Sequence, residues 1–277
     1  MRRTVLTLLC LAFTYWGFSA MLDSWIRQML YPAPPVAVPS PPPSPLLEVW
    51  LDSAAGDRIH GWFRPVAAGR PATGSVLFLH GNGENLETLR RSALLDQMAD
   101  LGVSVLAIDY PGYGASGGRP SQDGLVSAAQ AGLDWLVDRG EERRFVVGWS
   151  LGAAVAMQLA ADRDGHLEGV VLISPWDDLK SLASVHFPGF LVDVALKDAY
   201  DSRAAAAGLR PPALVIHGTR DTIIPVDHGR RLHHALPETA RFVPVEGAGH
   251  NDVMAYPEVW RELGAFLGPR VESPGRL

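Results

Sequence analysis

Residues 144–160 read Arg144-Phe145-Val146-Val147-Gly148-Trp149-Ser150-Leu151-Gly152-Ala153-Ala154-Val155-Ala156-Met157-Gln158-Leu159-Ala160. The opening aromatic and β-branched residues predict a buried strand. The closing run, rich in alanine and free of glycine and proline, predicts a helix. Between them lies Gly148-Trp149-Ser150-Leu151-Gly152, a G-x-S-x-G pattern. By itself the pattern says little, since a strand end softened by glycine produces it too. Between a strand and a helix, however, it predicts a sharp turn that thrusts the serine hydroxyl out at the end of a sheet. The glycines two before and two after the serine have a steric reason. Neighbouring chain approaches closely there, and glycine has no Cβ to obstruct it. Ser150 is therefore the candidate nucleophile.

Outward from this stretch, short apolar runs alternate with amphipathic ones. The runs 48–52, 59–64, 75–80, 103–109, 144–148, 169–173, 213–217 and 240–245 predict eight strands. Helices are predicted near 84–100, 122–138, 151–162, 227–235 and 252–267. Continuous apolar strands such as Val76-Leu77-Phe78-Leu79 imply burial on both faces. From residue 75 onward strand and helix alternate, which predicts an α/β architecture with a mostly parallel sheet covered by helices. The first two strands have no helix between them and read as a hairpin at the sheet edge.

A serine hydroxyl needs a base to take its proton. Nine histidines compete for the role. His80 and His217 close apolar strands, where structural hydrogen bonding suits them. His228, His233 and His234 fall on a predicted surface helix, and His60, His166 and His186 lack a glycine-rich setting. His250 stands in Gly247-Ala248-Gly249-His250-Asn251-Asp252, just past the last strand. Small residues there let the loop carry an imidazole back over the sheet, so His250 is the candidate base. The imidazole in turn needs an acid to hold its tautomer. Asp221, in His217-Gly218-Thr219-Arg220-Asp221, follows the strand 213–217, and the order Ser150, Asp221, His250 completes a triad. Asp177 and Asp178, past the preceding strand, are the competing acids. Asp109 precedes the serine and reads as a brace for its own loop. For the oxyanion, the backbone N–H of Leu151 and one from the loop His80-Gly81-Asn82-Gly83-Glu84-Asn85 are the expected donors, with Asn82 chosen in that loop. Residues Gly112-Tyr113-Gly114-Ala115-Ser116-Gly117 match a dinucleotide-binding G-x-G-x-x-G. Pro111 and the distance to the next helix, near Ser121, argue against a phosphate on that helix's N-terminus.

Composition narrows the partners. The chain has 277 residues, 47% of them hydrophobic, and a net charge of −6 with no basic tract. That excludes an electrostatic nucleic-acid binder. Cys10 is the only cysteine, so a multi-cysteine zinc site and an intramolecular disulfide are both excluded. At the N-terminus, Arg2 and Arg3 precede an uncharged run from Thr4 to Leu22. As a helix that run would measure about 28 Å, close to the hydrocarbon core of a bilayer. Trp25 and Tyr31 follow where interfacial aromatics belong. Residues 1–31 thus read as a transmembrane signal anchor, with the arginines placing the N-terminus in the cytoplasm and the rest of the chain on the extracytoplasmic or periplasmic side. The alternative is a signal peptide cleaved near Gly17-Phe18-Ser19 and a secreted protein. A lipid on Cys10 is disfavoured by the bulky Leu9 before it. Residues 32–45 hold eight prolines and predict an extended polyproline spacer. Residues 46–270 form the globular domain, and 271–277 a tail.

These segments resemble the α/β-hydrolase superfamily, and most of all its membrane-anchored ABHD-type serine hydrolases. The resemblance spans about 48–267. It rests on His80-Gly81-Asn82-Gly83, Asp109-Tyr110-Pro111-Gly112-Tyr113-Gly114, Gly148-Trp149-Ser150-Leu151-Gly152, Ser174-Pro175, His217-Gly218-Thr219-Arg220-Asp221 with Ile224-Pro225, and Gly247-Ala248-Gly249-His250-Asn251-Asp252. It implies the α/β-hydrolase fold with a short lid, here about 177–208, and neither metal nor organic cofactor. The implied activity is hydrolysis of carboxylic esters or thioesters, on small-molecule, lipid or acylated-protein substrates. Some relatives are peptidases, so a prolyl- or aminopeptidase on the same triad is the alternative, with a non-catalytic interaction module last. Trp149 and Trp176 read equally as acyl-pocket lining or core.

Overall fold

The structure is a computed structural model and describes residues 27–66, 72–186 and 198–269, together with 13, 16, 17, 21, 24, 25, 69, 192 and 196. Most of the predicted membrane helix over 4–22 and the tail 271–277 lie outside the described residues. Among the described residues, no helix is long and apolar enough to cross a membrane.

Eight strands form one sheet: β1 (Leu47–Asp52), β2 (Arg58–Arg64), β3 (Ser75–Leu79), β4 (Ser104–Ile108), β5 (Arg144–Trp149), β6 (Gly169–Ile173), β7 (Ala213–Gly218) and β8 (Arg241–Val245). Their spatial order is β1-β2-β4-β3-β5-β6-β7-β8. The β1–β2 hairpin pairs antiparallel and β2 joins β4 antiparallel; every other pairing is parallel. Strands β3, β4, β6 and β7 are buried at every position, as their unbroken apolar runs require. At the edge, β1 alternates buried and exposed residues. Pro244 sits in β8, the other edge, where a missing N–H leaves no ladder bond unmade.

The helices are α1 (Leu86–Arg91), α2 (Leu94–Asp100), α3 (Gln122–Asp138), α4 (Leu151–Asp162), α5 (Leu179–His186), α6 (Ser202–Ala206), α7 (Val226–Ala235) and α8 (Pro257–Leu267). Because side chains alternate along a strand, β3 serves two cores. Leu77 and Leu79 pack with Leu125, Leu133, Val155 and Leu159 of α3 and α4. Val76 and Phe78 pack with Leu89, Met98 and Leu263 of α1, α2 and α8.

The helix predicted over 84–100 is two. Ala93 takes a left-handed conformation (φ 58°) and breaks it, while Ser92 Oγ donates to the Leu89 carbonyl at 2.9 Å. The helix predicted from 252 begins instead at Pro257, after a 3-10 turn over Val253–Ala255, since proline suits the first helical position. The proline-rich stretch lies along the domain, with the Asn85 side chain donating to the Val36 carbonyl at 2.7 Å.

Candidate active site

At the β5–α4 junction Ser150 has φ 55° and ψ −115°, a strained conformation for a residue with a Cβ. Its N–H donates to the Ile173 carbonyl at 2.9 Å, which ties the turn to the neighbouring strand β6. A Cβ on Gly148 would run into the Gly152 carbonyl, and one on Gly152 into the Leu79 carbonyl at the end of β3. The two glycines therefore let the turn close and let the loop after β3 lie against it. The serine ends up buried but at the floor of a cavity.

Two further loops converge there. His250 lies past β8 in a loop fixed by the Gly247 N–H donating to Thr219 Oγ1 at 2.9 Å and the Gly249 N–H donating to Asp252 Oδ1 at 2.6 Å. Its Nε2 is 2.9 Å from Ser150 Oγ, and its Nδ1 is 2.7 Å from Asp221 Oδ2. Asp221 follows β7, and its Oδ1 accepts from the N–H groups of Ile223 and Ile224 at 2.9 and 2.8 Å. A carboxylate can only accept, so the proton belongs on Nδ1, and Nε2 is left to accept from the serine hydroxyl. Burial pushes the Asp221 carboxyl up. Hydrogen bonds from His217 and His250, the charge of His250 and the Ile224 N–H outweigh it and hold the carboxyl well below the usual range. His217 Nε2 lies 2.8 Å from the Ile224 carbonyl and 3.4 Å from Asp221 Oδ2, so its proton goes mainly to the carbonyl.

The competing acid has other partners. Asp177 accepts from Arg231 Nε at 2.7 Å and pairs with His228 at 2.5 Å. His228 is buried, not on the surface as its polar helix suggests, because that pair draws it inward. Asp178 caps α5 by accepting from the N–H groups of Lys180 and Ser181. Asp109 Oδ1 accepts from the Leu86 N–H at 3.0 Å, bracing the start of α1. The G-x-G-x-x-G stretch is a turn before α3, whose helix begins one residue past Ser121. A Cβ on Gly114 would run into the Asp109 carboxylate, so packing explains that glycine without a phosphate.

Leu151 is the first residue of α4, where backbone N–H groups lack intrahelical acceptors and form the positive end of the helix dipole. Asn82 and Leu151 both line the cavity that holds Ser150 and His250. Sequence reasoning missed the residues that hold the Asn82 loop. The Tyr113 hydroxyl donates to the Asn82 carbonyl at 3.0 Å, and the Tyr110 hydroxyl donates to the His80 carbonyl at 2.9 Å. Glu84 Oε2 accepts from the Gly81 N–H at 2.9 Å, and burial raises this carboxyl to about 7. The run Asp109-Tyr110-Pro111-Gly112-Tyr113 marks a loop, but the carbonyls its tyrosines hold lie 30 and 31 residues earlier and leave no local signal. Trp149 and Trp176 line the cavity with Leu179, Leu182 and Ile223, and so do Leu30 and Tyr31 from before the prolines. The cavity measures about 410 Å³. Among the described residues, no three His, Cys, Asp or Glu side chains converge as metal ligands.

Residues 70–192 match the family described as "Serine aminopeptidase, S33", and residues 192–262 match "TAP-like protein". The chain is 37% identical over 243 residues to the uncharacterized protein Rv2307c of Mycobacterium tuberculosis, covering 85% of this chain and 84% of that one. It is 29% identical over 249 residues to the lysophosphatidylserine lipase ABHD12 of Mus musculus, covering 79% of this chain and 61% of that one. Among solved structures, the Pyrococcus furiosus esterase Pf2001 superposes with a TM-score of 0.68 at 23% identity, over 85% of this chain and 98% of that one.

Proposed function

Because this chain belongs to the α/β-hydrolase superfamily and is an enzyme of its serine-hydrolase type, we propose that it cleaves carboxylic esters or thioesters through an acyl-enzyme on Ser150. The observation that carries this is the unbroken line from Ser150 Oγ to His250 Nε2, 2.9 Å, and from His250 Nδ1 to Asp221 Oδ2, 2.7 Å, at the floor of a largely apolar cavity.

In this mechanism His250 Nε2 takes the Ser150 proton as Oγ attacks the acyl carbon. The carbonyl π electrons move onto oxygen, and the N–H groups of Asn82 and Leu151 stabilise that oxyanion. Collapse of the tetrahedral adduct expels the alcohol or thiol, which takes the proton from His250. Water then attacks the acyl-enzyme with His250 again as base and releases the carboxylic acid. Asp221 orients the imidazole and stabilises its cation throughout.

The matched aminopeptidase family favours a second reading, hydrolysis of aminoacyl amides. Such substrates need an anion to hold their ammonium group. Among the described residues, the one carboxyl on the cavity lining is Glu84, which already accepts from the Gly81 N–H and whose ionisation burial disfavours, raising it to about 7. That favours the ester reading. The test is a panel of esters, thioesters and aminoacyl amides run on the wild type and on Ser150→Ala, with fluorophosphonate labelling alongside. Turnover of esters that vanishes with Ser150 is expected. Amides turned over faster than esters would reverse the order of the two readings, and activity surviving in Ser150→Ala would remove the nucleophile.

For residues 1–31 we propose a signal anchor with the catalytic domain on the extracytoplasmic side, on the strength of the apolar run and the arginines before it. Release of the protein from membranes by alkaline carbonate, or protection of the domain from protease added to intact spheroplasts, would refute it.

A further inference from the structure

We propose that Leu30 and Tyr31 form a wall of the acyl pocket and select long acyl chains, so that the last residues of the anchor segment 1–31 are also part of the active site. This rests on the ester-hydrolase reading and names the substrate class within it: amphiphiles carrying a long hydrocarbon chain.

Position is the first argument. Leu30 and Tyr31 line the cavity that contains Ser150 and His250, although they precede the sheet altogether. Fixation is the second, because chain termini are poorly ordered unless tied down. Tyr31 is only 4% exposed. Its hydroxyl donates to Asp198 Oδ2 at 2.6 Å and lies 3.0 Å from the hydroxyl of Tyr200, bridging 167 and 169 residues of sequence. One turn earlier, Arg27 Nη1 donates to the Pro120 carbonyl at 2.8 Å. Beyond the wall, the Asn85–Val36 hydrogen bond fastens the proline-rich stretch to the oxyanion loop's own helix cap. The segment is therefore held on both sides of the pocket.

Chemistry is the third argument. Leu30 and Tyr31 share the cavity lining with the apolar side chains of Trp176, Leu179 and Leu182, and Ser150, His250 and Asn82 add polar groups to it. With its hydroxyl already bonded, Tyr31 offers the pocket a ring. A lining of this composition receives hydrocarbon. Trp25 and Met29, on the same segment, are 52% and 46% exposed, and Ile223 on the cavity lining is 48% exposed. These exposed apolar side chains suit a substrate drawn from a lipid phase.

The test uses the full chain in detergent with p-nitrophenyl acetate and p-nitrophenyl decanoate. On this proposal the wall lies out of reach of an acetyl group and within reach of a decanoyl chain. Tyr31→Ala is expected to lower the decanoate-to-acetate ratio of kcat/KM by about tenfold or more, and Leu30→Ala by about fivefold, given that single methylenes in an apolar pocket discriminate by about tenfold and upward. Leu30→Ala decides the matter if Tyr31→Ala does not fold. A general loss of folding moves both esters together and leaves the ratio unchanged. An unchanged ratio in the folded variants overturns the proposal, as does a wild type that hydrolyses acetate and leaves decanoate intact. Acetate turnover that persists in Ser150→Ala is a different failure: it sinks the ester reading, and the pocket assignment with it.

Discussion

Asp221→Asn tests the triad by a change of one atom. Asp221 Oδ1 accepts from two backbone N–H groups, those of Ile223 and Ile224, at 2.9 and 2.8 Å. An asparagine will place its amide oxygen there and turn its NH₂ toward His250. The alternative orientation would set two buried donors against the NH₂. Each unsatisfied buried donor costs about 1–3 kcal/mol, so that orientation is disfavoured by about 2–6 kcal/mol. With an NH₂ opposite, His250 Nδ1 must accept, its proton moves to Nε2, and Nε2 can no longer take the proton of Ser150. A few kcal/mol of tautomer preference corresponds to about 10²–10⁴-fold, at about 1.4 kcal/mol per tenfold. Losing the carboxylate that stabilises the imidazolium adds to this. The expected fall in kcat is about 10⁴-fold, with the fold intact. The rate of fluorophosphonate labelling measures it without assuming a substrate, and ¹⁵N chemical shifts of His250 report the tautomer. An Asp221→Asn enzyme that labels at more than a tenth of the wild-type rate, with normal thermal unfolding, would show that Asp221 does not orient His250.

Two other outcomes follow from the same geometry. Ser150→Gly is expected to unfold at higher urea than Ser150→Ala, by about 1 kcal/mol. Glycine relieves a strained φ of 55° worth about 1–3 kcal/mol and gives back about 0.5–1 kcal/mol in unfolded-chain entropy; an alanine variant more stable than the glycine one by about 0.5–1 kcal/mol would mean that the turn stores no strain. Glu84→Gln is expected to flatten part of the pH dependence of stability. Burial raises this carboxyl from 4.5 to about 7 on folding. Between those values the folded chain binds more protons than the unfolded one, so the Glu84 contribution is fully present below about pH 4.5 and is lost as pH rises through 7. The glutamine variant should gain on the wild type by at most about 3 kcal/mol between pH 4.5 and 8, read from urea midpoints. A constant difference between the two proteins across that range would contradict the shift.

How far the chain's letters reach depends on how local each signal is. Unbroken apolar runs disclosed β3, β4, β6 and β7, because a strand buried on both faces needs nothing from distant residues to be recognised. The glycine-flanked serine and the small-residue loop around His250 were equally local. The left-handed Ala93 that splits α1 from α2 was not legible, since Leu86-Glu87-Thr88-Leu89-Arg90-Arg91 and Leu94-Leu95-Asp96-Gln97-Met98 continue one helical pattern across it. Nor was the burial of His228, on a helix as polar as Val226-Asp227-His228-Gly229-Arg230-Arg231, because its partner Asp177 lies 51 residues away.

Tyr31 shows why such cases resist. A tyrosine carries an apolar ring and one hydroxyl that requires a partner when buried. The membrane interface meets both demands, with acyl chains for the ring and water for the hydroxyl, and an aromatic after an apolar run signals that placement. A protein pocket meets them as well, here with a hydrophobic core around the ring and the Asp198 carboxylate on the hydroxyl. The two environments select the same side chain for the same reasons, so no local pattern separates them. What separates them is an acceptor 167 residues later in the chain, brought within 2.6 Å by the folding of everything between.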